Sequence, residues 1–435
     1  MTQLLTSSLQ ERIFEMFLES QFWPSQAMLE YQRGSLAHLL SHARAQVPFY
    51  RNRLDRVFRP DGSIDWNRWN EIPILTRTDL REKPSELTAK KLPPGHGPIK
   101  KFSTSGSSGV PITITATGGT ATVAKSAALA RMNYLHGIDG AHTNASFAFD
   151  GKNKTIPDIR FSTWSAFTSA RGKNLRINLR LPERKKLELM MAENCRYLTD
   201  LPNTIEILAR ENLKFRKRLG LDAVICYGQG ITDEQRALFQ RSFGARAINI
   251  YSSKEAGLMA CQCATGTQYH VNSELVLLEV LNAENRPCAQ GESGRVVVTP
   301  LHSTAQPLIR YEQGDIAAVG GPCACGSQLP VLLRIEGRED PVFRFSDRLA
   351  SEVMIDKALV NKTLKAQAVQ IAQVSRLGFE VRYLAKGDVT EKGMARLTKH
   401  LREALHPKIK VVFKRLSELP RNAGGKQQRF VREFD

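Results

Sequence analysis

Two groups of residues have types and spacing suited to chemistry. The first is a series of short loops rich in glycine, hydroxyl and charge. "STSGSSGVP" (103–111) sets Ser103, Thr104, Ser105, Ser107 and Ser108 around Gly106 and Gly109. Glycine permits positive φ and close backbone approach, so N–H groups and hydroxyls can turn inward around phosphate oxygens. No lysine follows at the place the G-x-x-x-x-G-K-[ST] loop requires, so a plain linker stays open beside a phosphate cradle. Four motifs then follow in order. "IYSSKEAG" (250–257) puts Glu255 just past a strand, and "LIRYEQGDIA" (308–317) puts Asp315 on a glycine turn. "IEGRED" (335–340) precedes a change of composition, and "LPRNAGGKQQR" (419–429) carries Lys426 on a glycine loop. Taken singly, Glu255 reads as a helix cap, Asp315 as a turn former and Lys426 as an exposed tail residue.

The second group is the cysteines. "CQCATGTQYH" (261–270) and "CACG" (323–326) bracket Asp315. Cys263, His270, Cys323 and Cys325 would form a Cys₃His zinc set, with Cys261 an alternative to Cys263. Four protein ligands leave no open position, so such a site is structural rather than catalytic. Reduced cysteines without metal are the plain alternative. Seven cysteines is an odd number in a long chain, against a disulfide framework. Cys195, Cys226 and Cys288 read as core or surface residues.

Elements must hold these loops in place. Residues 8–57 carry apolar residues at helical spacing, interrupted at Pro48. Residues 68–100 are proline-rich and read as connecting structure. "GGTATVAKSAALARMNYLHG" (118–137) reads as a helix stopped by Gly137. "DAVICYG", "RAINIYSS", "LVLLEVL" and "GRVVVTPL" read as strands. "TDEQRALFQRSFG", opened by a capping Thr232, lies between the first two and completes a βαβ unit. After "RIEGRED" the last ~95 residues have the size of a compact α+β unit, with strands at "AVQIAQV", "FEVRYLA" and "IKVVFKRL" and a helix at "EKGMARLTKHLREALH".

Motifs in this order resemble the adenylate-forming superfamily of acyl-CoA synthetases and peptide-synthetase adenylation domains. The nearest resemblance is to the phenylacetate–CoA ligase branch, with its CapK-like proteins and coenzyme F390 synthetase. "SLAHLLSHARAQVPFYRNRL" (35–54) is similar to the N-terminal signature of that branch. The resemblance implies an α/β fold. A large N-terminal domain (1–339) of mixed β-sheets flanked by helices would bind ATP and acyl substrate. A small mobile α+β domain (340–435), hinged at Asp340, would carry Lys426. It further implies that Ser103, Thr104, Ser105, Gly106, Ser107, Ser108 and Gly109 grip pyrophosphate. Gly228, Gln229 and Gly230 would form the adenine-side loop. Tyr251 would stack on adenine, with Ser252 and Ser253 in the same ATP-binding segment. Glu255 would ligate Mg²⁺, Asp315 and Arg338 would meet the ribose, and Lys426 would steady charge developing at the α-phosphate. Structural zinc occurs at similar positions in several members of the branch. The chain departs from the pattern at Ser252, where Gly is usual, and at Lys254, where Thr or Ser is usual. "PVFRFSDRLASEVMIDKAL" (341–359) lacks the usual thiol-tunnel motif.

Hydrophobic content of 42% and charged content of 24% fit a globular chain, and 435 residues exceed the ~250–300 of one ordinary core. No apolar run reaches the ~18–20 residues of a membrane span, and the N-terminus lacks a leader pattern, so a cytoplasmic protein is expected. The net charge of +19 is concentrated partly in "RGKNLRINLRLPERKK" (171–186) and "RENLKFRKR" (210–218). An anionic cofactor, an acidic carrier protein in trans or nucleic acid could use such clusters. Few aromatics interleave with them, which weighs against single-strand binding.

The leading expectation is an ATP-dependent ligase activating a carboxylic acid, as the branch suggests an aryl acid, and passing it to CoA or a carrier thiol. Phe147, Phe149, Phe161, Trp164 and Phe167 are candidates for an aromatic lining. AMP transfer to a non-thiol acceptor and nucleic-acid binding on an inactive scaffold are the alternatives. A homodimer is left open.

Overall fold

The computed structural model describes residues 2–103, 112–148, 159–163, 172–336, 343–350, 352–366, 368–385, 387, 389–420 and 428–434. The chain opens with α1 (Thr2–Ser20) and α2 (Ser25–Gln46). In α2, Met28, Gln32, Leu36, Leu39, Leu40 and Ala43 are buried at the helical period. Val47 is extended ahead of Pro48 and ends the helix. The proline-rich stretch read as connecting structure holds a short helix, α3 (Arg77–Glu82), capped reciprocally by Thr76 and Asp79. A hairpin of β1 (Ile99–Ser103) and β2 (Thr113–Thr117) leads into α4 (Gly119–Leu135). Gly137 lies just beyond α4 at φ +58°, as the stop signal required.

Next come β3 (Thr143–Ala148), β4 (Ile159–Thr163), β5 (Lys173–Asn178), α5 (Glu183–Ala192), β6 (Cys195–Asp200), α6 (Pro202–Asn212), β7 (Ala223–Tyr227), α7 (Asp233–Phe243) and β8 (Arg246–Ser253). The strands β3, β5, β6, β7 and β8 run parallel, and β7–α7–β8 is the expected crossover unit. Thr232 and Gln235 form its capping box, and Gly244 closes α7 in the left-handed conformation. The chain then reverses into antiparallel strands: β9 (Gly257–Gln262), β10 (Tyr269–Val271), β11 (Val276–Leu281), β12 (Ser293–Pro300), β13 (Tyr311–Val319) and β14 (Val331–Glu336). Twelve described strands form one sheet in the order β11-β12-β13-β14-β10-β9-β8-β7-β6-β3-β5-β4. Its parallel half lies against α5, α6 and α7, and its antiparallel half lies against the N-terminal helices and α4.

A separate sheet begins after residue 343. β15 (Phe343–Arg344) and β16 (Leu349–Ala350) make a small hairpin, followed by α8 (Lys357–Leu364). Then β17 (Ala368–Gln373), β18 (Gly378–Leu384), α9 (Glu391–Ala404), β19 (Lys410–Arg415) and β20 (Phe430–Arg432) build a sheet in the order β19-β18-β17-β20. Its core of Phe343, Phe379, Val381, Leu397, Leu401 and Phe430 is distinct from the two cores of the large sheet. A chain of this length thus divides its apolar burial rather than enlarging one core. No described helix is long and apolar enough to cross a membrane.

Candidate active site and cysteine–histidine cluster

A cavity of about 1040 Å³ opens where the parallel half of the sheet gives way to the antiparallel half. Ligands of open α/β sheets gather at such reversals, beyond the carboxyl ends of the strands. Gly228, Gln229 and Gly230 follow β7 and line it. Gly228 sits at φ +75°, and a Cβ there would meet Leu201 Cδ2 at 2.9 Å, so the turn requires glycine twice over. Asn249 of β8 donates through Nδ2 to the Gln229 carbonyl (3.2 Å) and fixes the loop.

Tyr251, Ser252 and Ser253 end β8 and also face the cavity, followed by the Lys254–Glu255 turn into β9. Ser253 Oγ accepts from Ala256 N at 2.9 Å, closing that turn. Opposite stands β13. Its pairing with β12 shifts register between Arg295 and Val297, and Gly314 lies there at φ +84°. Tyr311, Gln313 and Asp315 recur at every second position of β13 and all face the cavity. Tyr251 donates its hydroxyl to Asp315 Oδ2 at 2.8 Å. Burial, with the Asp315 charge beside it, holds the Tyr251 phenol well above its ordinary pKa, so it stays a donor.

Glu255 is nearly buried and pairs with Arg77 (Nη1 to Oε1, 3.5 Å). Sequence reading missed Arg77 because α3 is a single short helix in a stretch that looks like linker. The pairing of Leu75 with β13 places it: Leu75 N donates to the Arg310 carbonyl, and Glu312 N to the Leu75 carbonyl. Arg310 has φ +51°, a rare conformation for a non-glycine residue of this bulk. Its buried guanidinium pairs with Glu279 and donates to the carbonyls of Asn70 and Ile72, tying the segment before α3 to the sheet.

The unexpected Lys254 is exposed and lines the same cavity. Ser103 ends β1, while Thr104, Ser105, Gly106, Ser107, Ser108 and Gly109 lie outside the described residues, as do Arg338, Asp340 and Lys426. The aromatic lining is not as expected. Phe147 packs against the parallel-half core with Lys186 over its ring, and Phe161 is exposed beneath Lys173; neither borders the cavity. Phe149, Trp164 and Phe167 lie outside the described residues. Lys186, counted in a basic cluster, is buried and bonded to Glu183 rather than displayed.

The second group of candidates does converge. The ligand atoms of Cys263, His270, Cys323 and Cys325 lie within 4.8 Å of one another. Cys263 Sγ stands 3.7 Å from Cys323 Sγ, and Cys325 Sγ 3.3 Å from His270 Nε2. Two thiolates about 2.3 Å from a tetrahedral ion would stand about 3.8 Å apart, so the donor set and spacing fit zinc. Cys261 lies outside this group, accepting from Asn272 Nδ2 instead. Cys261 is still within β9, whereas Cys263 lies just beyond the strand's end, where the chain has left the regular pleat.

A sheet parallel on one side and antiparallel on the other, a cavity at the reversal and a small α+β unit behind it define the fold of the adenylate-forming ligases. No protein-family model matches the chain. It is 24% identical over 342 residues to a phenylacetate-coenzyme A ligase of Thermus thermophilus, covering 73% of this chain and 72% of that protein. Among solved structures it is similar to a 2-hydroxyisobutyryl-CoA ligase in complex with 2-HIB-AMP and CoA in the thioesterification state. That match has a TM-score of 0.64 at 18% identity and covers 95% of this chain and 93% of that one. An open conformation of the same ligase gives a TM-score of 0.58 at 19% identity, covering 91% and 90%. The chain thus has the fold of the adenylate-forming ligases, and its sequence is similar to that of an acyl-CoA ligase.

Proposed function

We propose that the protein is an ATP-dependent ligase that activates a carboxylic acid as its acyl-adenylate and passes the acyl group to a thiol of CoA or a carrier protein. The observation that carries this reading is the meeting of Gly228–Gly230, Tyr251, Glu255 and Asp315 around one cavity, although they come from distant parts of the chain. A substrate carboxylate oxygen attacks the α-phosphorus of ATP; the bond to the bridging oxygen breaks and pyrophosphate leaves. A thiolate then attacks the acyl carbon, and AMP leaves with the electron pair. The protein's part is positioning and charge neutralisation.

In this reading the adenine lies against Tyr251 and the Gly228–Gly230 turn. Asp315, oriented by the Tyr251 hydroxyl, accepts from the ribose with Arg338 nearby. The 103–109 loop and Lys254 meet the phosphates. Magnesium keeps most of its water and takes one carboxylate besides phosphate oxygens, so Glu255 alone suffices as the protein ligand. Lys426 approaches the α-phosphate from the small unit, which turns about Asp340 between half-reactions, and the domain boundary at 339/340 is part of the proposal. Structural zinc at Cys263, His270, Cys323 and Cys325 belongs to the same reading.

The test is pyrophosphate release from Mg-ATP over a panel of carboxylic acids, with and without CoA. Lys426→Ala is expected to lower the rate by about a hundredfold or more while leaving ATP binding measurable. Dependence on CoA separates a thioester ligase from an enzyme with another acceptor. Salt-steep binding to nucleic acid without ATP binding would overturn the proposal.

A further inference from the structure

We propose that the acid activated here carries a second anionic group, received by Lys125 and Lys100 at the end of the cavity away from the nucleotide motifs. The inference rests on the adenylation reading. Thr122, Lys125, Ser126 and Leu129 recur at i, i+3, i+4 and i+7, so one face of α4 forms a wall of the cavity. Lys100 of β1 stands opposite Ala116 of β2 in register, and both line the cavity beside that wall.

Three features separate these lysines from phosphate binding. Lys254, on the turn beside Glu255, already supplies a cation at the nucleotide end. Lys100 precedes Ser103 by three residues, so at about 3.3 Å per residue its Cα lies about 10 Å back from the start of the loop. Lys125 sits on a helix whose main packing partners among the described residues are α1 and β9, whereas Asp315 and Ile335, on β13 and β14, mark the nucleotide end.

The charge balance then selects the ligand. Among the described residues neither Lys100 nor Lys125 is ion-paired. The carboxylates that line the cavity among the described residues are Glu255, paired with Arg77, and Asp315, bonded to Tyr251. A substrate ammonium would find no counter-charge among the described residues at the α4 wall. Both lysines are exposed, so a wholly apolar acid would leave the two ammonium groups in water and gain nothing from them. A second carboxylate or a phosphate would instead form charge-assisted hydrogen bonds to both. Ile114, Leu129, Leu258 and Leu275 supply apolar surface for the carbon frame between the two anionic ends.

The experiment compares matched acids, each monocarboxylic acid beside its ω-dicarboxylic and its phosphorylated counterpart, by pyrophosphate release. Wild type should favour a doubly anionic acid over its monoacid partner by about tenfold or more in kcat/KM, the size of one charge-assisted hydrogen bond. Which of the two counterparts is favoured identifies the anion. Lys125→Met should collapse that ratio, and Lys125→Arg should restore it. Lys100→Met provides a second, independent reading of the ratio. A wild-type preference for the monoacid would overturn the inference and leave adenylation standing. So would a Lys125→Met defect confined to the KM for ATP, which would assign the lysine to the nucleotide. Release with no acid at all would overturn both.

Discussion

Arg77 and Glu255 pair at the cavity wall, and with Glu255 as the proposed magnesium ligand this pair would govern how the ion enters. The guanidinium neutralises the carboxylate that this site would offer, so the ion would have to displace it or share it. Arg77→Ala should therefore lower the magnesium concentration at half-maximal pyrophosphate release, by about threefold to tenfold for a partly buried pair. A magnesium titration of initial rates measures it; a rise in the requirement would mean that Arg77 holds phosphate rather than opposing the metal. Glu255 was legible from its motif, because a carboxylate just past a strand end on a glycine-bounded turn is a local pattern. Its partner was not, because 178 residues separate the two.

Elements, more than single residues, set the geometry of the cysteine–histidine cluster. Cys263 follows β9, His270 lies in β10, and Cys323 and Cys325 sit on the turn before β14. β10 pairs with both β9 and β14, so the cluster clips three adjacent strands of the antiparallel half. Metal affinity would appear as folding stability in that half of the sheet. Cys263→Ser should abolish stoichiometric zinc in the purified protein and lower its melting temperature, whereas Cys261→Ser should retain the metal. Elemental analysis with a thermal melt decides; equal zinc content in both variants would exclude Cys263 as a ligand. The spacing in sequence indicated the set but left Cys261 and Cys263 as rivals. Only the position of each relative to the end of β9 distinguishes them.

At the scale of the whole molecule, the parallel half carries a buried acid that makes stability depend on pH. Asp200 ends β6, and its carboxylate accepts from Phe147 N and Leu201 N, stitching β3 to the turn before α6. Burial raises its pKa from 3.8 to about 6, opposed by those two N–H groups and by the charge of Lys186. Between these values the folded chain holds a proton that the unfolded chain has lost, so this group makes the protein less stable as pH rises from about 4 to about 6. Asp200→Asn removes the titration and keeps an acceptor for one of the N–H groups. Its stability relative to wild type, from denaturant midpoints, should rise across that window and level off above it. A flat difference would show that Asp200 ionises at its ordinary pH. The large charge of +19 is distributed differently from its sequence clusters: Lys186 is interior, and Arg210 and Lys214 pair with Glu206 and Glu211 along their own segment.

The sequence by itself determined the alternation of strands and helices, the Thr232 and Gly244 signals around α7, the stop at Gly137 and the order of the glycine-loop motifs. Each rests on neighbours within a few residues, through backbone conformation, capping or period. Tertiary structure alone decided which distant groups meet. It brought Arg77 to Glu255 by pairing Leu75 with β13, and Tyr251 to Asp315 by setting β13 across the cavity from β8. It turned Phe147 away from the cavity and the Lys125 face of α4 into it. Such meetings depend on strand order and register, quantities set by the packing of whole sheets and written in no single stretch of the chain.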